Sequence, residues 1–378
     1  MSGFKIYKDA ELKLNDFIEK KIMNYSFSRN FDLGVERRDN ISNLSHLISH
    51  RILLEFDIVK KILKKRKYSD VEKFIQEVFW RIYWKGWLEH RPKVWKDFIE
   101  FETNTVNKMN YEKAINGKTN ISCFDEWVSE LKNYNYLHNH SRMWFASIWI
   151  FTLKLPWQLG AKFFMEHLLD GDSASNTLSW RWVAGLQTKG KNYLARSSNI
   201  EKYTNGRFKN IKLNEDACPI EEDKIYETEE LKKVFSTHTK SKILLMFETD
   251  LFFSNRTHLL DHYDQILMIL LENADRKIKL SKTVLNYKRD LMVNFQKIFK
   301  NSRIISSLNL KEIVLKDKVI DLIYPFIGEN LDYITKIESK NNISFNNIVR
   351  EEDLMCWQYS KKGFFNFKKN IPVIIERI

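Results

Sequence analysis

Residues 138–182 read HNHSRMWFASIWIFTLKLPWQLGAKFFMEHLLDGDSASNTLSWRW, and the reading of this stretch decides the fold. On a helix, positions i, i+3 and i+4 share a face, so Asn139, Arg142 and Met143 point one way. If the segment that starts at Asp172 is helical, Asp172, Asn176 and Trp180 stack at i, i+4 and i+8. An arginine buried among tryptophans 144, 149, 157, 180 and 182 needs a partner, and Asp170 and Asp172 offer carboxylates. The expected product is an aromatic cavity with a few fixed polar groups, the usual make-up of a cofactor pocket.

Upstream, FIQEVFWRIYWKGWLEH (residues 74–90) sets Glu77, Trp80, Arg81 and Trp84 at i, i+3, i+4 and i+7. A core helix rarely carries a glutamate and an arginine on its tryptophan stripe. Ten of the eleven tryptophans lie between positions 80 and 182. Trp127, Trp144 and Trp149 read as core, where large aromatic rings usually go. Before them, SNLSHLISHRILLEF (residues 42–56) puts hydroxyls at a helix start, where side-chain and backbone donors make good anion ligands. His46 and His50 stand four apart, but no third residue at ligand spacing joins them, so no metal site is expected.

These motifs resemble the flavin-binding domain of the photolyase/cryptochrome family over about residues 25–208. The family carries a helix with Asn and Arg three apart followed by Met, then Asp-Gly-Asp, a small-residue run ending in Asn, and Trp-x-Trp. From Gly117 to Trp182 the register fits without a gap. The resemblance implies FAD as cofactor, with Tyr25, Ser42, Leu44, Ser45, Phe74, Arg81, Arg142, Asp170, Asp172 and Asn176 around it. Ser42, Leu44 and Ser45 would wrap its phosphates, although Ile41 and His46 replace the family's flanking Thr and Pro. Arg142 and Asp170 would pair beside the isoalloxazine, and Asn176 would face flavin N5. Glu77, Trp80, Asn139, Met143 and Trp182 would meet the substrate, while Trp180 and Trp157 would relay electrons to the flavin. The third place of that relay falls on Asn104 rather than on a tryptophan. His140 stands where some members have an arginine at the substrate edge.

What the resemblance implies is a deoxyribodipyrimidine photo-lyase, a carbon–carbon lyase. It would split flipped-out cyclobutane dimers by electron transfer from excited reduced FAD. Its partner would be DNA containing pyrimidine dimers, and a damaged pair stacks poorly, which lowers the cost of extrusion. The alternative is a cryptochrome-like blue-light sensor that binds FAD without repair.

Composition agrees with a globular chain: 378 residues, 43% hydrophobic and 29% charged. The net charge of +13 and pI near 9.3 suit a phosphate-backbone partner, though a lysine-rich proteome gives the same bias. The run KKILKKRKY (60–68) is either a solvated helix face or a phosphate-contacting ridge. The charged N-terminus is no signal peptide, and the longest apolar run, Met143 to Leu153, is too short to span a bilayer. Cys123, Cys218 and Cys356 are too scattered for a disulfide framework or an iron–sulfur cluster. A cytoplasmic monomer without membrane attachment is expected. GLQTKGKN (185–192) ends in Asn192 where a P-loop needs a hydroxyl, and no GxSxG or HExxH occurs.

Past Phe208 the pattern changes. Residues 209–238 read as a polar, acid-rich linker, which leaves a helical FAD-binding unit at 1–208 and a smaller α/β unit at 239–378. In the latter, SKILLMFE (241–248), QILMILLE (265–272), VIDLIYPF (319–326) and IPVIIERI (371–378) have buried-strand patterns separated by lysine-rich helical segments. That alternation predicts a Rossmann-like parallel sheet. The family's antenna domain is also α/β but precedes the flavin domain, so the expected order is reversed. FETDLFFSN (247–255) resembles its start, and whether a second, antenna chromophore is bound stays open.

Overall fold

The computed structural model describes residues 5–102, 107–231, 235–307, 310 and 319–378. Its central element is the helix Tyr68–Glu89, 22 residues long and about 33 Å by the rise of an α-helix. Val71, Phe74, Ile75, Val78, Phe79, Ile82 and Tyr83 bury most of its circumference, as expected of a helix apolar nearly all round. It packs against the helices Ile22–Ser28, Glu55–Leu63, Pro92–Ile99 and Ser173–Ala184, and also against Glu351–Tyr359 and Phe364–Lys368 from the far end of the chain.

The stretch that opened the reading folds as three helices. Asn139–Ser147 runs into a π-turn at Ile148–Thr152, followed by Trp157–His167 and Ser173–Ala184. The last of these has local causes: the Asp172 side chain accepts from Ser175 N at 2.7 Å to cap its start. Gly185, at φ 85°, takes the left-handed turn that ends it. Gly160 lets this helix approach the preceding one, because a Cβ there would stand 2.2 Å from the Trp180 ring.

From residue 205 to 231 the chain has no helix or strand. Six parallel strands follow among the described residues: β1 Phe235–Ser236, β2 Ile243–Met246, β3 Gln265–Ile269, β4 Ser302–Ile305, β5 Asp321–Ile323 and β6 Asn346–Ile348, in the order β1-β6-β5-β2-β3-β4. The chain first walks from β2 to β4 and then crosses back to β5, so its direction reverses between β2 and β5. Alternation divides the sheet's two faces. Leu244, Met246, Ile266 and Met268 join one continuous core with the helical region, whereas Leu245, Leu267 and Ile269 form a second core on the other face.

The strand patterns at 241–248, 265–272 and 319–326 hold β2, β3 and β5. The expectation for IPVIIERI is overturned: residues Ile371–Arg377 form a helix that buries Ile371 and Ile374. Pro372 lacks an N–H and sits in the first turn, where none is needed, and burial at i and i+3 is a helical period. The strands Phe235–Ser236, Ser302–Ile305 and Asn346–Ile348 were not foreseen, because Ser302, Arg303, Asn346 and Asn347 break any apolar run. Among the described residues no helix is long and apolar enough to cross a membrane.

Candidate functional site

The candidate site is built where the Tyr68–Glu89 helix faces the loop Asp170–Asp172. Arg142, one turn into its helix, sends Nη2 to Asp170 Oδ2 at 2.8 Å and Nε to the Leu137 carbonyl at 2.9 Å. Tyr136 lies beneath the guanidinium, its ring centroid 5.2 Å from Arg142 Cζ, and burial pushes its phenol up to about 12. Burial opposes ionisation of Asp170, but Arg142 outweighs it and holds the carboxyl down at about 2, with Ser45 assisting. Asp172 is likewise kept below the usual carboxylate range against its burial, here by Lys85 and Arg81.

The second carboxylate is fixed by Ser175 N at Oδ1, but its cations hold Oδ2 loosely. Arg81 Nη1 stands 3.9 Å and Lys85 Nζ 4.0 Å from Asp172 Oδ2, beyond hydrogen-bond reach. Buried Arg81 Nη1 has no hydrogen-bond partner among the described residues. Burial lowers the pKa of Lys85, whose ammonium rests 4.4 Å from the centroid of Phe326. A buried ammonium and a buried guanidinium nitrogen without a close acceptor are unusual, since such groups are normally satisfied. They suit a ligand with several acceptor oxygens. A dinucleotide with a pyrophosphate and a carbonyl-bearing ring has that chemistry, so FAD fits the residues present.

Other residues named from sequence take these places. Tyr25 and Phe74 meet edge-on, with centroids 5.1 Å apart. Leu44 is fully buried, and Asn43 before it takes the left-handed conformation at φ 53°, which turns Ser42 and Ser45 about it. Asn176 is buried and fixed by Nδ2 donating to the Ala161 carbonyl at 2.9 Å. Glu77 lies 3.2 Å from both Arg29 and Lys73. Asn139 is exposed at its helix start, and Met143 is half-buried. Trp180 is buried against Phe164 and Trp149, and Trp157 stacks on Phe98 at 5.5 Å. Asn104 lies outside the described residues.

The two expected aromatic walls are not paired with each other. Trp80 stacks on Phe364, 3.5 Å between centroids and 12° between planes, and Trp182 stacks on Tyr193 at 5.6 Å. Sequence reasoning missed Phe364, which is 284 positions from Trp80 and carries no local signal. It also missed Lys85, although its spacing of four from Arg81 on one helix was visible.

Residues 74–208 match the family model of the FAD binding domain of DNA photolyase. Over that region the chain is similar to the photolyase/cryptochrome family. The matched model is that of a FAD-binding domain, and FAD is the cofactor that the site residues fit. Among curated photolyase-family relatives, the deoxyribodipyrimidine photo-lyase of Vibrio cholerae is 24% identical over 196 residues, 50% of this chain and 41% of that protein. The enzyme of the same name from Agrobacterium fabrum is 29% identical over 180 residues, 46% of this chain and 37% of that one. The chain therefore spans about two fifths of the length of these relatives. A crystal structure of a bacterial class III photolyase from Agrobacterium tumefaciens is 25% identical with a TM-score of 0.46, covering 53% of this chain and 42% of the other.

Proposed function

We propose that this protein is a light-dependent DNA repair flavoprotein that splits cyclobutane pyrimidine dimers. Residues 1–208 would be the FAD-binding unit, 209–238 the connection and 239–378 the α/β unit, in a cytoplasmic monomer acting on dimer-containing DNA. The observation that carries the reading is Asp172 beside the Arg142–Asp170 pair, facing Arg81 and Lys85 beyond hydrogen-bond reach with Arg81 Nη1 unpaired, on the helix that also presents Glu77 and Trp80.

In this reading Arg142 and Asp170 form a fixed ion pair beside the flavin ring, so the site gains polarity without gaining net charge. Arg81 and Lys85 offer their free donors to acceptor oxygens of the cofactor. Ser42, Leu44 and Ser45 surround the phosphates, and Tyr25 and Phe74 close the apolar side. Asn176, held by Ala161, keeps its amide in one orientation toward the ring. Trp180 and Trp157 supply electrons from the protein interior. When bound in its reduced form, FAD supplies the light-driven electron transfer that opens the cyclobutane ring. The chain's part is to hold the extruded pair: Glu77 and Asn139 by hydrogen bonds, Trp80, Trp182 and Met143 by apolar contact.

A second reading is a blue-light sensor that binds FAD without repair. One observation favours it: Glu77 already has two cationic partners and one face of Trp80 is covered by Phe364. Purified protein with FAD reduced, mixed with ultraviolet-damaged oligonucleotide, separates the two. Repair predicts dimer loss under blue light and none in the dark. Dimers that persist in the light while FAD stays bound would overturn repair and leave the sensor.

A further inference from the structure

Near the end of the chain, residues 361–370 read KKGFFNFKKN, with four lysines and no acid. Three phenylalanines in this turn meet different fates. Phe364 stacks on Trp80 and meets Tyr83 edge-on at 5.4 Å, while Phe367 packs on Phe79 and Tyr83. Phe365 between them is 81% exposed. The turn is clamped on both sides. Tyr83 Oη donates to the Lys362 carbonyl at 2.9 Å, Arg91 Nη2 donates to the Lys361 carbonyl at 2.8 Å, and Lys368 lies 3.3 Å from Glu72. Lys362 and Lys369 are exposed, and neither has an ion-pair partner among the described residues.

An exposed phenylalanine is unremarkable when it stands alone on a mobile surface. Phe365 instead projects from a turn fixed on the helix of Glu77 and Trp80, between lysines with free charge. Fixing an apolar ring beforehand removes the ordering cost of binding. An aromatic face flanked by free cations matches unstacked bases on a phosphate backbone, since every base has a π-face and each phosphate contact releases counterions.

We propose that the turn Lys361–Lys369 is a DNA contact supplied by the C-terminal end of the chain. Phe364 anchors it on Trp80, Phe365 stacks on a base beside the extruded pyrimidine pair, and Lys362 and Lys369 neutralise the flanking phosphates. The placement of the extruded pair rests on the repair reading above. Extrusion leaves a gap in the duplex, and an apolar ring at its edge replaces part of the lost stacking.

The test is a binding titration in the dark with the FAD-loaded full chain, on duplexes with and without one thymine dimer. Phe365→Ala is expected to weaken binding to the dimer duplex by about 5- to 100-fold, from the usual value of base–aromatic stacking. The double variant Lys362→Ala/Lys369→Ala is expected to reduce the slope of log affinity against log salt by about 1.8. Both substitutions are on exposed side chains, and the flavin absorbance of each variant checks that the fold is kept. Parent-like affinity and salt slope in both variants would overturn the proposal while leaving repair intact. If the parent shows no preference for the dimer but the variants still lose affinity and slope on undamaged duplex, the contact stands and the repair reading falls. A parent that ignores DNA and binds vesicles of phosphatidylserine and phosphatidylcholine through Phe365 would overturn both.

Discussion

Two buried clusters of charge in this molecule are built in opposite ways. Around Arg51, which is fully buried, nearly every donor is used: Nη2 meets Asp353 at 2.6 Å, Nη1 meets Asp353 at 2.7 Å and Nε meets Glu55 at 3.1 Å. Asp250 takes Arg350 at 2.6 and 2.9 Å on the same knot, and those cations hold its carboxyl far below the ordinary range despite burial. Around Asp172 the cations stand back at 3.9 and 4.0 Å, and Arg81 Nη1 is left without a hydrogen-bond partner among the described residues. The Arg51 network has little left to offer a ligand beyond Glu55 Oε1, which is unpaired among the described residues and 3.9 Å from Lys85, and it joins the helical region to the sheet region. An unsaturated one is costly to leave as it is and is ready to receive acceptors. Density of bonding thus separates a structural cluster from a candidate binding cluster, where charge alone does not.

The largest expected effect is on the saturated side. Arg51→Ala strips Asp353 and Glu55 of their shared cation, and denaturant unfolding should show a loss of about 3–5 kcal/mol. Should the variant unfold like the parent, the network would be ornamental and the contrast would fail. Asp170→Asn acts on the other side. It removes the charged partner of Arg142, which keeps some solvent contact, so about 1.5–3 kcal/mol should be lost. The FAD retained after purification should fall as well. A cost equal to that of Arg51→Ala with FAD content unchanged would move Asp170 into the structural class.

The smallest effect sharpens the junction between the two. His50 packs beneath Lys288 with Nδ1 2.9 Å from the His46 carbonyl. Burial, with Lys288 next, drives its pKa to about 3. The unfolded chain binds a proton near pH 6.5 that the folded chain refuses. The stability it contributes is therefore complete above pH 6.5 and declines on acidification toward pH 3, by about 1.4 kcal/mol per unit. In His50→Gln that part of the slope should vanish, and unfolding series at several pH values between 6.5 and 4.5 measure the difference. Identical slopes in parent and variant would show that His50 is not held neutral.

Part of the candidate cluster was legible beforehand because some of its members are close in sequence. Arg142, Asp170, Asp172 and Asn176 fall within one run of helices; helical spacing relates Asp172 to Asn176, and the need of a buried arginine for a partner points from Arg142 to Asp170. The saturated cluster was invisible, since Arg51, Asp250 and Asp353 come from three distant segments that only folding brings together. The same distance hid Phe364 from Trp80. At the chain's end, IPVIIERI misled because a short β-branched apolar run fits a strand or a buried helix equally, and Pro372 was the available cue.

One feature of the sheet reaches beyond the site. Leu244, Met246, Ile266 and Met268 lie in the same apolar interior as Trp180 and Phe164. Neither half can therefore be discarded or exchanged as a ready-made cassette without leaving the other with a bare oily flank. Substitutions on the sheet's inner face are constrained by the helices opposite, and the pair inherits change together.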